Sequence, residues 1–305
     1  MPAGCRRSSM VVYDFARRSL MKRFLSIIIV MLVLSSFALA QDAQLPRVSQ
    51  KASVMQTIGL TDVTITYSRP GVKGRTIWGE LVPYDQVWRT GANEATTIDF
   101  SKDVKINGQA VPAGTYSLHT IPGKEEWTII LNKVAKQWGS FKYDQAQDLL
   151  RFKVKPEQGP NEEWLTFSFP DVKQDSATVQ LAWEKVRVKF QIDADTKTQA
   201  VANIKKALAA GPKDWELPYD AAEYAFNANT NKEDATKWVD QSISMKPTFW
   251  NLSLKAQMLA QNGDTKDAIA TAEKAVQMGK DNKDEASAIQ EAEKRLAEWK
   301  ASAKK

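Results

Sequence analysis

Hydrophobic positions along this chain follow two different periods. From about residue 47 to 193 they alternate with period two. In "DVTITYS" the residues Val63, Ile65 and Tyr67 share one face and Thr64 and Thr66 the other. Leu150, Phe152 and Val154 alternate with Arg151, Lys153 and Lys155. Val179, Leu181 and Trp183 repeat the pattern, and so do Val186, Val188, Phe190 and Ile192 against Arg187, Lys189 and Gln191. Successive side chains of a strand point to opposite faces, so this alternation predicts antiparallel sheet with one face in the core. Turn residues cut the run into short strands. Asn107-Gly108, between "DVKI" and "QAV", predicts a tight hairpin because both central positions of a type I′ turn need positive φ. Pro112-Ala113-Gly114 and Pro122-Gly123 mark further breaks. About nine strands result, which predicts an antiparallel β-sandwich of jelly-roll-like kind. Six tryptophans fall here (Trp78, Trp88, Trp127, Trp138, Trp164 and Trp183). Most are expected in the core, because an indole gains much from burial.

After "DADT" (193–196) the period becomes helical. Three blocks align without gaps: "AVANIKKALAAGP" (200–212), "ATKWVDQSISMKP" (235–247) and "AIATAEKAVQMGK" (268–280). Their first alanines are 35 and 33 residues apart. A spacing near 34 is that of stacked helix pairs of tetratricopeptide type. The first block reads as the second helix of a half repeat, followed by units over about 214–247 and 248–280. Residues 283–300 read as a capping helix with a polar outer face. Ala235, Ala268, Tyr219, Phe226, Leu252, Leu259 and Pro247 fit the tetratricopeptide pattern, whereas Glu223, Lys255 and Lys280 depart from it.

The first forty residues follow neither period. Met21-Lys22-Arg23 precedes the apolar run "FLSIIIVMLVLSSF", and Ala38-Leu39-Ala40 supplies small residues for a cleavage site. This order predicts a secretory signal peptide cut after Ala40 and a periplasmic or secreted product. Met21 rather than Met1 is a possible start. The expected organisation is therefore leader 1–40, β-sandwich domain 41–195 and helical domain 196–305.

The leader changes how the charge is read. The chain has 42 Lys+Arg against 36 Asp+Glu, a formal +6. Residues 1–40 hold six of the bases and one acid, so the rest carries 36 against 35, a net +1. The basic balance thus predicts neither nucleic-acid binding nor attachment to a membrane surface after cleavage. Cys5 is the only cysteine and lies in the leader. No disulfide, cysteine-ligated metal or cysteine nucleophile is expected in the remainder.

The β-half closely resembles the bacterial Domain of Unknown Function 2911 family, over roughly residues 46–192. The resemblance is carried by "TYSRPGVKGRTIWGELVPYDQVWRTGANEATTIDF" (66–100), "PAGTYSLHTIPG" (112–123), "WGSFKYD" (138–144) and "LAWE" (181–184). It implies an exported protein, often of Bacteroidota, with a helical repeat tail in several members. It implies no reaction.

Candidate chemistry is sparse. His119 is the single histidine and alternates with Leu118 and Thr120 in a strand, sharing a face with Ser117. No G-x-S-x-G elbow accompanies it, and one histidine without cysteine does not make a zinc site. His119 is read as a partly buried strand residue. "PGVKGR" (70–75) lacks phosphate-loop spacing, so its glycines are read as turn residues. "DAD" (193–195) and "DNKDE" (281–285) lack the ligand alternation of a calcium loop. No metal and no cofactor are expected.

"WRTGANEATT" remains. One reading groups Arg69, Arg75 and Arg89 as donors to an anion or saccharide. Trp88 is then a stacking surface, Glu94 an acceptor or acid/base, and Asn93 an orienter. The other makes the stretch a structured turn, with Arg89 paired to Glu94, Asn93 bonding local backbone and Gly91 supplying backbone freedom. In the helical half the tetratricopeptide alignment places Tyr224, Asn227, Trp250, Gln257 and Gln261 on the groove-lining helices. A protein or peptide partner is expected there. The favoured function is a non-catalytic binding protein of the cell envelope. The alternatives are a hydrolase-like enzyme using the Arg89/Glu94 loop on a saccharide-type substrate, and a structural scaffold.

Overall fold

Ten strands and six helices follow one another along the chain in the computed structural model, which describes residues 45–303. The expected leader lies outside the described residues. From Ser49 onward the chain forms one compact unit. The strands are β1 (Gln50–Ile58), β2 (Thr61–Arg69), β3 (Thr97–Phe100), β4 (Val104–Ile106), β5 (Gln109–Val111), β6 (Gly114–Ile121), β7 (Trp127–Asn132), β8 (Asp148–Val154), β9 (Glu157–Val172) and β10 (Ser176–Ala194). They form two antiparallel sheets, one ordered β1-β2-β3-β6-β7-β8 and the other β5-β4-β10-β9. The inward positions of both sheets share one core, from Val63, Ile65 and Ile98 to Leu165, Val179, Leu181 and Ile192. Polar contacts also tie the sheets together. The Phe167 N–H donates to Tyr67 Oη at 3.0 Å, and Arg69 donates to Leu165 O and Thr166 Oγ1 at 2.9 and 2.7 Å.

The predicted hairpin is present: Asn107 and Gly108 have φ of 50° and 76° between β4 and β5. The strand count is ten rather than about nine. One expected break between strands is nevertheless absent, because the pattern changes phase within a single strand. Val179, Leu181 and Trp183 lie at odd positions and Val186, Val188 and Phe190 at even ones, which reads as two strands. Both runs belong to β10, which passes through irregular register at Glu184, where φ is 51°. An extra residue in one strand of a pair shifts which face the next residues occupy without ending the strand.

The helices are α1 (Thr196–Ala209), α2 (Glu216–Asn227), α3 (Lys232–Met245), α4 (Phe249–Gln261), α5 (Thr265–Asn282) and α6 (Ala286–Ser302). Asp195 caps α1 by accepting from the Thr198 N–H. Thr248 and Asn251 form a reciprocal capping box that starts α4. The three aligned alanines, Ala200, Ala235 and Ala268, are all buried. Each of the departures from the repeat pattern acquires a partner. Tyr219 Oη donates to Glu223 at 2.6 Å, Lys255 pairs with Asp240 at 2.8 Å and Lys280 with Glu293 at 2.6 Å. Thr61 Oγ1 donates to Gln199 at 3.1 Å, joining β2 to α1. Among the described residues no helix is long and apolar enough to cross a membrane.

Candidate functional site

Strand alternation puts Ser117 and His119 of β6 on the sheet face away from the core, opposite Asn132 and Ile130 of β7. Such a face is ordinarily wet. Here Ser117, His119, Ile130 and Asn132 are all fully buried. The cover is the 133–147 connection between β7 and β8, which folds back across the sheet. Tyr143 places its ring 5.2 Å from that of His119. Asn132 Nδ2 donates to Asp144 O at 2.9 Å and to Asp148 Oδ1 at 2.8 Å, and Asn132 Oδ1 accepts from the Val134 N–H at 3.0 Å. Asp148 also accepts from Tyr143 Oη at 2.6 Å and pairs with Arg151 at 2.5 Å.

The "WRTGANEATT" stretch forms a further side of this cover. Trp88 and Thr120 exchange both backbone hydrogen bonds, at 2.8 and 2.9 Å. This pairing turns the Trp88 ring into the core and sets Arg89 across from His119 on the outer face. The stretch then meets the 133–147 connection directly. The Ala95 N–H donates to Gln137 O and the Gly139 N–H to Asn93 O, and Ser140 Oγ donates to Val87 O.

The candidate residues therefore separate. Arg69 joins the two sheets. Arg75 closes its own turn, donating to Gly71 O at 2.6 Å and Val72 O at 3.1 Å. Trp88 is 8% exposed and presents no free stacking surface. Glu94 is exposed, and the Arg89 Nε is buried with no hydrogen-bond partner among the described residues. Asn93 bonds no local backbone. Its Nδ2 reaches Ser49 O at 2.9 Å, at the entry to β1. Positive φ falls on Thr90 and Asn93, not on Gly91. Glycine is needed at 91 for space, since a Cβ there would lie 3.0 Å from Ser68 O and 3.1 Å from Thr96 Oγ1. Gln137 and Tyr143, neither of them among the candidate residues, complete the cluster.

Burial sets the protonation states. It holds the His119 imidazole down at about 4, against a smaller upward pull from Asp148. It also lowers Arg89. Tyr143 is pushed up to about 12 by burial and by its bond to Asp148, with Arg151 opposing. His119 is thus neutral at pH 7. Neither ring nitrogen contacts Ser117, so no nucleophile–base pair exists here. The arrangement can bind and orient, and it lacks an activated group.

In the helices, Tyr224 and Gln257 are half-buried and Asn227, Trp250 and Gln261 exposed. Trp250 is 37% exposed beside the buried Phe249, ring to ring at 5.1 Å. Gln261 borders a small cavity of ≈ 20 Å³, lined also by Phe226, Lys232 and Met258. That is room for about one water. Among the described residues no group of three or more His, Cys, Asp or Glu could hold a metal ion.

No curated protein and no solved structure matches the chain. Residues 49–192 match the family described as Protein of unknown function (DUF2911), and the β-half of the chain is similar to that family.

Proposed function

We propose that this chain is an exported, non-catalytic binding protein of the cell envelope. Its two sheets form a jelly-roll-like sandwich, and its helices form a short tetratricopeptide-like array that takes a protein or peptide partner. The observation that carries this reading is Trp250. It lies at the start of α4 with its ring partly in water, while its neighbour Phe249 is 2% exposed. An exposed indole on a helix that also presents Gln257 and Gln261 suits the centre of an interface, where tryptophan is over-represented among residues that dominate affinity.

Capture from envelope extracts, with the wild type and Trp250→Ala immobilised in parallel, tests the partner. A specific partner should bind the variant roughly 30-fold less tightly, the loss expected of a hot-spot residue. Partners retained equally by both would remove the helical surface from the proposal. Export is tested separately. Expressed in a bacterium with a secretory pathway, the chain should yield a soluble product whose mass begins at Gln41. A product that keeps residues 21–40 in the membrane would overturn it.

A further inference from the structure

The outer face of the six-stranded sheet holds hydrogen-bonding capacity that its own residues leave unused. His119 is fully buried, and neither Nδ1 nor Nε2 has a partner. Gln137 Oε1 and Arg89 Nε are likewise buried and unpartnered. The residues that carry these atoms are neighbours on this face. Gln137 Nε2 is 3.5 Å from Ser117 Oγ, two residues from His119 on the same face, and Arg89 is across from His119 in register. Buried polar atoms in folded proteins are almost always bonded, to protein, water or a ligand.

The charge balance narrows what could fill the patch. Asp148, the acid whose charge acts on His119, is already taken up by Arg151, Tyr143 and Asn132. It is not a counter-ion for Arg89, whose Nε remains unpartnered. Water could bond these atoms, but it brings no charge to set against the half-buried Arg89 guanidinium, and an anion does. The open positions are also mixed in kind. Arg89 Nε–H and one His119 nitrogen are donors, while Gln137 Oε1 and the other His119 nitrogen are acceptors. A simple carboxylate answers only the donors. A carboxylate that carries a hydroxyl answers both.

We propose that the patch formed by Arg89, Ser117, His119 and Gln137 beneath the 133–147 connection binds a small hydroxycarboxylate. The carboxylate sits on Arg89 and the His119 N–H, and the hydroxyl donates to Gln137 Oε1. Tyr143 closes the site over the imidazole. This goes beyond the proposed partner binding by the helices and is independent of that surface, so Trp250→Ala should leave it intact.

His119 is the only histidine in the chain, so its imidazole signals report the site without ambiguity. The probe is glycolate, titrated into ¹⁵N-labelled protein in chloride-free buffer at constant ionic strength, with acetate as comparison. The imidazole resonances should shift saturably with both, and glycolate should bind about fivefold tighter, the gain of one added hydrogen bond. In Arg89→Met the response should be lost. In Gln137→Leu glycolate and acetate should bind equally, which keeps the proposal testable even where Arg89→Met fails to fold. Imidazole signals that ignore glycolate would show that water alone fills the patch and would overturn the proposal. So would an undiminished response in folded Arg89→Met, or a glycolate preference that survives Gln137→Leu.

Discussion

Trp183→Ala should destabilise the protein by about 3–5 kcal/mol, the cost of removing a large buried aromatic side chain and leaving a cavity behind. Trp183 is 1% exposed and stands in a cluster with Trp78, Trp88 and Trp127. Its ring stacks on Trp88 with centroids 5.9 Å apart, and Trp78 meets Trp127 edge-on at 4.9 Å. The cluster draws on β7, β10 and the segments that carry Trp78 and Trp88, so it joins both sheets to the loops between them. Its neighbours are rigid rings, which collapse poorly into a void. Urea unfolding followed by far-UV circular dichroism measures the effect without depending on indole fluorescence. Trp138→Ala is the matched control. That side chain is 57% exposed, and its removal should cost under about 1 kcal/mol. A loss below about 1.5 kcal/mol for Trp183→Ala would show that the cluster is not central to stability.

Acid should weaken the fold through His119 before the carboxylates contribute strongly. The folded-state value is about 4, held down mainly by burial, against 6.5 for a free imidazole. A histidine depressed in this way stays neutral when folded while the unfolded chain takes up a proton. The stability it confers is complete above about pH 6.5 and is lost progressively as pH falls toward 4. The full difference amounts to roughly 3 kcal/mol, of which about 2 kcal/mol should disappear between pH 7 and 5. His119→Leu should flatten the stability profile in that interval. Denaturant midpoints measured every half pH unit, in buffers free of added carboxylate, check both statements. A wild-type profile that is level from pH 7 to 5 would mean that the imidazole is solvated in the folded protein.

His119 shows where reading along the chain stops. Alternation with Leu118 and Thr120 puts it in a strand on the same face as Ser117, and β6 carries both residues. Alternation carries no information on whether the outer face is wet. The 133–147 connection settles that by folding across the sheet, so a residue read as partly buried is fully enclosed. Asn93 behaves similarly. Its side chain suits a local turn contact, yet its bond goes to Ser49, 44 positions away. Arg69 offered the fork expected of an anion site and is occupied in tying β2 to β9.

What the amino-acid order determined on its own are the features written in neighbouring residues. These are the period-two strands, the Asn107-Gly108 turn and the change to helical period near residue 195. Each follows from backbone geometry acting over a few residues. Tertiary structure alone decided which candidate arginines are free to bind, what covers the outer sheet face, and that Gln137 and Tyr143 enclose His119. Those outcomes depend on segments distant along the chain packing against one another. Burial and the hydrogen-bond partners it demands arise only once that packing has occurred.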